Sequence, residues 1–462
     1  MSLDASHVKA LTNIVGNENI YTDKAHLIAY SYDATRAKYE PDCIIFPKDE
    51  KDVSDILHYC NKNKLIIIPR GAGSGFTGGS LSIKGGIVLA FEKHMNKILE
   101  IDMDNMVAVV QPGVINMDLQ KAVEAKGLFY PPDPASEEHS TIGGNVSENA
   151  GGMRAAKYGI TKDYVMALRA VLPSGEVIRA GKRTIKDVAG YNIAGILIAS
   201  EGTLAVITEI TVKLIAKPKF TKTAFGVFPS VRHAMNAVYK TFANGITPVA
   251  MEFLDNLSIK AVEQRFKKGL PTDAGAILIT DVDGNVQNLL DEQIKKIDEV
   301  FKSNGCSEFK IAKDENEAKD LWFARRTCSQ SITVYGTKKL NEDVTVPRSK
   351  LPELLDEIDK ISKKYNLPIP CFGHTGDGNV HTNVMVDNSN KEQLELGHKA
   401  IEEVFKVAIE LGGTLSGEHG IGISKAPFMR LAFTDAEMNL FVSIKKAFDP
   451  NNILNPYKMG LT

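Results

Sequence analysis

A glycine-rich loop directly follows a short apolar strand and limits how this part of the chain can fold. Residues 65–69 are typical of a buried strand, and residues 71–79 hold five glycines in nine positions. Glycine has no Cβ, so the N–H groups of such a loop can approach a phosphate closely. The loop lacks the ending of a P-loop, and a strand at 86–91 follows it where a dinucleotide fingerprint needs a helix. Two interpretations stay open, a phosphate-binding loop and a plain glycine-rich connection.

Two further stretches of small and polar residues follow. The first covers residues 130–152 and contains two Gly-Gly pairs, and the second covers residues 199–214 and enters a β-branched strand through Gly202. Several loops of this kind in one α/β region predict one extended ligand, with a pyrophosphate on one loop and a ring against another.

Two histidines, His374 and His381, flank a short run of Gly, Asp and Asn. Apolar residues on both sides indicate two strands, and the residues between them are typical of a tight reversal. Such a hairpin would place the two imidazoles side by side, where they can bind a divalent metal. The alternative is a hairpin with one structural histidine at each end.

A carboxylate and an imidazole, Glu418 and His419, stand next to each other between glycines. Glu418 together with His374 and His381 gives a His/His/Glu set able to hold Zn²⁺, Mn²⁺ or Fe²⁺ with positions open for a substrate. Neighbouring side chains of an extended segment point in opposite directions, so we expect Glu418 and His419 to take different roles.

The length of 462 residues predicts two or three domains. The net charge of -2 provides no basic field for nucleic acid. We expect no secretory signal in residues 1–4 and no membrane span, since the longest apolar runs, such as 193–199, are too short.

The five cysteines are scattered and include no CxxC motif. This pattern predicts a cytoplasmic location and no iron–sulfur cluster in this chain. One-electron steps would therefore need another subunit or a soluble carrier.

We expect four regions along the chain, from its apolar periodicity, from Pro218 and from the family resemblance described below. They are a helical, peripheral segment at 1–36, an α/β domain at 37–217, a second domain at 218–430 after the boundary at Pro218, and a C-terminal segment at 431–462. In the second domain, strands at 224–228, 249–254, 276–281 and 341–347 are expected together with helices at 230–244, 256–267, 286–303, 313–332, 350–365 and 391–411.

Taken in order and with their spacing, the three glycine-rich stretches resemble the FAD-binding domain of the vanillyl-alcohol oxidase / p-cresol methylhydroxylase superfamily. The likeness is specific to its D-2-hydroxyacid dehydrogenase branch and extends over nearly the whole chain. The resemblance implies an α+β fold, with a two-subdomain FAD-binding domain, an antiparallel α+β cap domain and a C-terminal segment that returns to the FAD domain.

In that family the first loop holds the FAD pyrophosphate, and the later stretches hold the isoalloxazine, ribityl and adenine portions. Some members attach FAD covalently through a His or Cys near these loops. Residues 70–80 contain neither, so non-covalent FAD is implied. The implied cofactor-binding residues are Pro69, Arg70, Gly71, Ala72, Gly73, Ser74, Gly75, Thr77, Gly78, Gly79, Pro132, Asp133, Ser136, Thr141, Gly143, Gly144, Asn145, Ser147, Gly151, Gly152, Glu201, Gly202, Ile207 and Asn455. For Asn455, a helix-stop signal is the alternative.

The resemblance also assigns the candidate catalytic groups. His374, His381 and Glu418 would ligate the metal, most readily Zn²⁺ with Mn²⁺ or Fe²⁺ as alternatives, and His419 would be the catalytic base.

The substrate would be held by Arg325 and Asn383. A guanidinium grips a carboxylate through two N–H groups, although a solvated helix face is the usual role of a single Arg. The neighbouring Arg326 is expected to point outward. Asn341 stands where members that act on 2-hydroxyglutarate have a lysine, which favours a smaller acid.

The implied function is oxidation of a small D-2-hydroxy acid, glycolate or D-lactate, to the 2-oxo acid by hydride transfer to FAD. The alternatives are a D-2-hydroxyglutarate dehydrogenase, a non-catalytic flavoprotein subunit of an electron-transfer complex, and an ether-lipid synthase or reductase of the same superfamily. We expect a redox partner, either an iron–sulfur subunit or an electron-transfer flavoprotein. The chain is expected in the cytoplasm, with attachment to the inner membrane through a partner and homo-oligomers both left open.

Overall fold

The computed structural model describes residues 3–461, which divide into two compact units. The first unit comprises the described residues up to Gly151, then Ile160–Lys217 and the residues from Glu418 onward. The second unit comprises Gly152–Gly159 and Pro218–Gly417. Two stretches thus differ from the expected domain boundaries, because 418–430 lies in the first unit and 152–159 lies in the second.

The first unit opens with a four-stranded, mainly parallel sheet and its helices. These elements are α1 (Ala5–Val15), β1 (Ile20–Tyr21), α2 (Lys24–Ala29), β2 (Cys43–Ile45), α3 (Glu50–Asn63), β3 (Ile67–Arg70) and β4 (Ile87–Ala90). The sheet order is β1-β2-β4-β3, and β2, β4 and β3 run parallel. Parallel strands are usually covered on both faces, which explains why these three strands are apolar except for Arg70 at the end of β3.

The N-terminal segment differs from the helical, peripheral region expected at 1–36. Its two described helices are separated by β1, which pairs with β2 in the sheet. Leu11 and Val15 of α1 are fully buried in the core beneath this sheet. The periodicity located α1 correctly, but the short strand gave no periodic signal.

A second, antiparallel sheet completes the first unit in the order β5-β6-β10-β8-β9, and the two-residue strands β7 and β11 pair separately. Its strands are β5 (Ile98–Asp102), β6 (Val107–Val110), β7 (Leu128–Phe129), β8 (Val165–Val171), β9 (Val177–Gly181), β10 (Val206–Lys213) and β11 (Ile215–Ala216). The helices are α4 (Asn116–Glu124), α5 (Ile142–Glu148) and α7 (Ile193–Leu197), with α6 (Ala155–Tyr158) in the second unit.

The C-terminal segment returns to the first unit, as the resemblance implied. It contains α14 (Met429–Ala432) and α15 (Asp435–Phe448). Beyond α15, Leu454 forms a parallel bridge with Ile67 of β3. The N–H of Ile67 donates to Ile453 and the N–H of Asn455 donates to Ile67, at 2.8 Å each.

The second unit is built on a seven-stranded sheet in the order β15-β12-β14-β13-β17-β18-β16, and every pairing in it is antiparallel. Its strands are β12 (Phe220–Phe228), β13 (Ala250–Asp255), β14 (Ala276–Gly284), β15 (Glu308–Ile311), β16 (Lys338–Thr345), β17 (Cys371–His374) and β18 (Asn379–Val386). Its longer helices are α8 (Val231–Ala243), α9 (Asn256–Phe266), α10 (Gln287–Ser303), α11 (Glu315–Ser331), α12 (Leu351–Tyr365) and α13 (Lys391–Glu410). The predicted antiparallel α+β domain is confirmed.

No helix in the described part of the chain combines the length and apolar character that a membrane crossing requires.

Candidate functional site

The first unit contains a cavity of about 410 Å³. The loop after β3, the start of α5, the segment from Glu201 to Ile207, and the pair Glu418 and His419 line it. All of these elements belong to the first unit. The three glycine-rich stretches therefore converge on one cavity, as expected for a single extended ligand.

The glycine loop and α5 approach each other closely. A Cβ placed on Gly71 would lie 2.5 Å from Oγ1 of Thr141. That hydroxyl oxygen caps α5 by accepting a hydrogen bond from the N–H of Gly144 at 3.2 Å. Residues 142–148, expected as part of a glycine-rich loop, thus form a helix, because the Thr141 cap offsets the poor helix propensity of the glycines.

Arg70 braces the glycine loop from within. Its guanidinium donates to the carbonyl of Tyr32 at 2.7 Å and to the hydroxyl of Ser80 at 3.3 Å, and it lies over the ring of Tyr30. Burial lowers the pKa of the Arg70 guanidinium. The Arg70 side chain therefore joins the end of the loop, at Ser80, to the backbone at Tyr32.

Glu201 holds the segment that follows His419. Its carboxylate accepts hydrogen bonds from the N–H groups of Ile421 and Gly422, at 2.7 Å each. Burial raises the pKa of Glu201, while these two N–H groups and the ammonium of Lys458 act in the opposite direction. Burial also lowers the pKa of Lys458 to about 8.

Asn455 reinforces the same region from behind the cavity wall. Its side-chain amide donates to the carbonyls of Gly79 and Glu201, at 2.8 and 2.7 Å. It therefore links two of the segments that line the cavity, and it is not itself one of the residues that line it.

Glu418 and His419 do not point in opposite directions, which corrects the expectation for an extended segment. Both line the cavity, and Oε1 of Glu418 lies 3.6 Å from Nε2 of His419. The segment is a bend with no strand pairing, so the alternation of strand side chains does not apply. The imidazole of His419 also lies against the ring of Phe76, with centroids 5.1 Å apart.

In the second unit, His374 and His381 come together on adjacent strands. β17 and β18 pair with Phe372 opposite His381, and a short turn connects the strands. The two Nε2 atoms are 3.3 Å apart, and both side chains are buried. Two imidazole nitrogens at this separation are a donor set that fits a divalent transition metal.

A carboxylate that the sequence did not single out links this pair to Arg325. Oε1 of Glu252, on β13, lies 2.7 Å from Nδ1 of His374, and its Oε2 accepts from Nε of Arg325 at 2.7 Å. The side chain of Glu252 is fully buried. The available signal was a Glu within the apolar run 250–254, and the register that pairs Glu252 with His374 was not predictable. Arg326 is exposed, as expected.

Asn383 is completely buried on β18. Its amide donates to the carbonyls of Pro370 and His381 at 3.2 and 3.1 Å, whereas its Oδ1 is buried without a hydrogen-bond partner. Asn341 on β16 stands directly opposite Asn383.

Asp343 lies on the same strand, two positions after Asn341. Its carboxylate accepts a hydrogen bond from the N–H of Gly417 at 2.9 Å, which fixes the end of the second unit just before Glu418.

Most residues expected to bind FAD line the cavity. The expected residues that do not line it are Thr77, Gly78, Pro132, Asp133, Gly152 and Asn455. Thr77 instead donates from its hydroxyl to the carbonyl of His419 at 3.1 Å.

Several residues that line the cavity were not predicted from the sequence, among them Asp33, His139, Ser140 and Glu148. The buried Oγ of Ser140 has no hydrogen-bond partner, so this hydroxyl is available to a polar ligand in the cavity.

The glycine-walled cavity in one unit and the buried two-imidazole donor set in the other are candidate cofactor sites. Comparison with protein-family models matches residues 41–181 to the FAD binding domain and residues 217–459 to the C-terminal domain of FAD linked oxidases.

Curated relatives resemble this chain over nearly its full length. Glycolate oxidase subunit GlcD of Bacillus subtilis (strain 168) is 43% identical over 97% of this chain and 95% of its own. D-lactate dehydrogenase of Anaerostipes hadrus is 36% identical over 92% of this chain and 91% of its own. The chain belongs to the family of FAD-linked oxidases.

Solved structures support the fold. The structure of p-cresol methylhydroxylase with substrate bound has a TM-score of 0.81 at 17% identity, covering 98% of this chain and 96% of that one. Alkyldihydroxyacetonephosphate synthase has a TM-score of 0.77 at 21% identity, covering 98% and 86%. The α+β flavoprotein fold implied by the sequence resemblance is thus confirmed.

Proposed function

We propose that the protein oxidises a small D-2-hydroxy acid, glycolate or D-lactate, to the 2-oxo acid, with FAD and a divalent metal as cofactors. The observation that carries the proposal is the buried series of contacts from His381 through His374 and Glu252 to Arg325. A 2-hydroxy acid has the matching groups, a hydroxyl oxygen for a metal and a carboxylate for a guanidinium. The names of the relatives describe substrates of this class.

The proposal gives the chain's residues separate roles. When bound, FAD supplies a two-electron acceptor, and a divalent ion supplies a Lewis acid for the substrate hydroxyl. His419 takes the hydroxyl proton on its imidazole as general base. Arg325 binds the substrate carboxylate, and the buried Oδ1 of Asn383 accepts a hydrogen bond from the substrate.

The proposed metal ligands are His374, His381 and Glu418. The support within the second unit is the pair of buried Nε2 atoms. Glu418 is included because it follows Gly417 directly in the chain and because carboxylate and imidazole together suit Zn²⁺, Mn²⁺ or Fe²⁺.

The proposed binding of FAD is non-covalent. None of the five cysteines lines the described cavity, but His139 and His419 do. Precipitation with acid distinguishes the two modes, since non-covalent FAD stays in the supernatant and a histidine-linked flavin stays with the protein.

The substrate preference is proposed from Asn341. This neutral side chain stands opposite Asn383 on the sheet and cannot form an ion pair with a second carboxylate. A monocarboxylate such as glycolate or D-lactate is therefore favoured over D-2-hydroxyglutarate.

Anaerobic bleaching of the flavin tests the function. Glycolate, D-lactate, L-lactate and D-2-hydroxyglutarate are each mixed with the holoprotein, before and after treatment with a chelator. We expect rapid bleaching by glycolate or D-lactate, and its loss after chelation with recovery on adding Zn²⁺ or Mn²⁺. Bleaching by L-lactate alone, or the same rate after verified metal removal, would contradict the proposal.

We also propose that the electrons pass to a separate redox partner in the cytoplasm. The proposal is supported by the cysteines, which are unpaired, far apart in sequence and mostly buried, and which include no CxxC spacing typical of an iron–sulfur site. Turnover with an artificial acceptor but not with oxygen would support a partner protein, whereas rapid reoxidation by oxygen would contradict it.

A further inference from the structure

Glu252 occupies an unusual position, since it is a fully buried carboxylate in the middle of β13, where the other residues from Ala250 to Leu254 are apolar. The side chains next to it on β13, Met251 and Phe253, are completely buried. A carboxylate in such surroundings is costly unless both of its oxygens have partners. Here one oxygen contacts His374 and the other contacts Arg325, at 2.7 Å each.

The contact with His374 selects the form of its imidazole. When Nδ1–H donates to the Glu252 carboxylate, the neutral ring carries its lone pair on Nε2. Nε2 is the atom that faces His381, at 3.3 Å. The hydrogen bond to Glu252 therefore leaves the lone pair of His374 on Nε2, the atom that would bind a metal at the histidine pair.

The other oxygen of the Glu252 carboxylate holds the guanidinium of Arg325. The guanidinium donates from Nε to Oε2 and lies over the ring of Phe372, 4.9 Å from its centroid. Only 12% of the Arg325 side chain is exposed. The plane of the guanidinium is thus set by one carboxylate and one ring, both in the second unit.

We propose that Glu252 is a positioning residue that fixes His374 as an Nε2 metal ligand with one oxygen and orients Arg325 toward the substrate carboxylate with the other. This inference rests on the proposed function. It adds that metal affinity and substrate binding depend on a single buried carboxylate that would contact neither ligand.

A purely structural role is the competing explanation, because the same contact also ties α11 to the sheet. The chain offers a matched control for that role. Asp281 on β14 accepts a hydrogen bond from Nε1 of Trp322, on the same helix, at 3.1 Å. Asp281→Asn therefore weakens the attachment of α11 without touching His374 or Arg325.

The test measures the affinity for Zn²⁺ by competition with a chromophoric chelator in the full-length FAD-loaded protein. We expect Glu252→Gln to lower Zn²⁺ affinity by about 10–100-fold and to raise the KM of the substrate, while Asp281→Asn leaves both near wild type. In the Glu252 variants the single tryptophan, Trp322, reports by fluorescence whether α11 stays in place, and urea unfolding compares the stability of both variants with wild type. Wild-type Zn²⁺ affinity in a folded Glu252→Gln variant, or equal losses in both variants, would overturn the inference.

Two further variants keep the result interpretable. Glu252→Asp retains the charge but cannot span both partners, so it serves if Glu252→Gln does not fold, and a wild-type affinity in this variant also overturns the inference. His374→Ala tests the metal site itself. If wild type binds Zn²⁺ no better than His374→Ala, the proposed metal site fails, whereas a difference there combined with no effect at Glu252 refutes only the positioning role.

Discussion

The carboxylate of Glu201 accepts a hydrogen bond of 2.7 Å from the N–H of Gly422, 221 positions away in the chain. The same carboxyl group holds Ile421, so the backbone just after His419 is tied to a buried acidic side chain. The position of the proposed catalytic base therefore depends on a residue that would not touch the substrate.

Glu201→Gln should weaken this tether. Glutamine keeps one acceptor oxygen, so one of the two N–H groups loses its partner and Lys458 loses a nearby negative charge. Leaving a buried donor unpaired costs about 1–3 kcal/mol. We expect the free energy of unfolding in urea to fall by that amount and kcat to fall by about tenfold or more. Unchanged kcat in a variant of reduced stability would show that the tether does not position His419.

His419→Gln should stop proton removal while FAD stays bound. General-base catalysis is typically worth about 10²–10⁴-fold, so kcat should fall within that range. The flavin absorbance and the metal content should match wild type. Phe76→Leu is the control, because it changes the ring against His419 but leaves the imidazole in place. A full rate in His419→Gln would remove this residue from the mechanism.

Gly378→Ala should destabilise the histidine hairpin. Gly378 has φ +94°, and a Cβ there would collide with the backbone carbonyl of Val346. Gly412 has φ +77°, but a Cβ there would meet open space. We expect Gly412→Ala to lower the free energy of unfolding by about 1–2 kcal/mol from backbone strain alone. Gly378→Ala should lower it clearly more and should also weaken Zn²⁺ binding. Equal unfolding free energies would contradict this comparison.

Stability between pH 4 and pH 6 should depend on Asp255. Burial raises the pKa of this carboxyl from 3.8 to about 6, so the folded state binds the proton more tightly than the unfolded state. Its contribution is fully present below pH 3.8 and is lost as the pH rises through 6. Relative to Asp255→Asn, wild type should therefore lose stability over this window, by at most about 3 kcal/mol. Urea unfolding at several pH values measures this difference, and a difference that does not vary with pH would refute it.

The sequence predicted the elements whose side chains repeat with a clear period. Helices such as α8 and α12 and most strands of the seven-stranded sheet lie within a few residues of the expected bounds, whereas the strand β15 was not predicted. The hairpin of His374 and His381 was also predictable, because its turn residues and both strands are local in sequence.

The parts that were missed depend on partners distant in sequence. Nothing near Glu252 indicates that β17 pairs beside it, and nothing near Glu201 indicates that Gly422 donates to it. Helix α5 was missed for a different reason, since its glycines argue against a helix and only the cap at Thr141 argues for one.

The return of the C-terminal segment to β3 has a consequence for the newly made chain. The contact between Asn455 and Gly79 joins residues 376 positions apart. At a synthesis rate of about 5–20 residues per second, a ribosome needs roughly 20–75 s to make the residues between them. During that interval β3 is an open sheet edge, and for most of it the wall formed by Glu418 and His419 does not yet exist. Closure of the flavin cavity is thus a late event in biosynthesis, and premature termination anywhere before residue 418 produces a chain that lacks this wall.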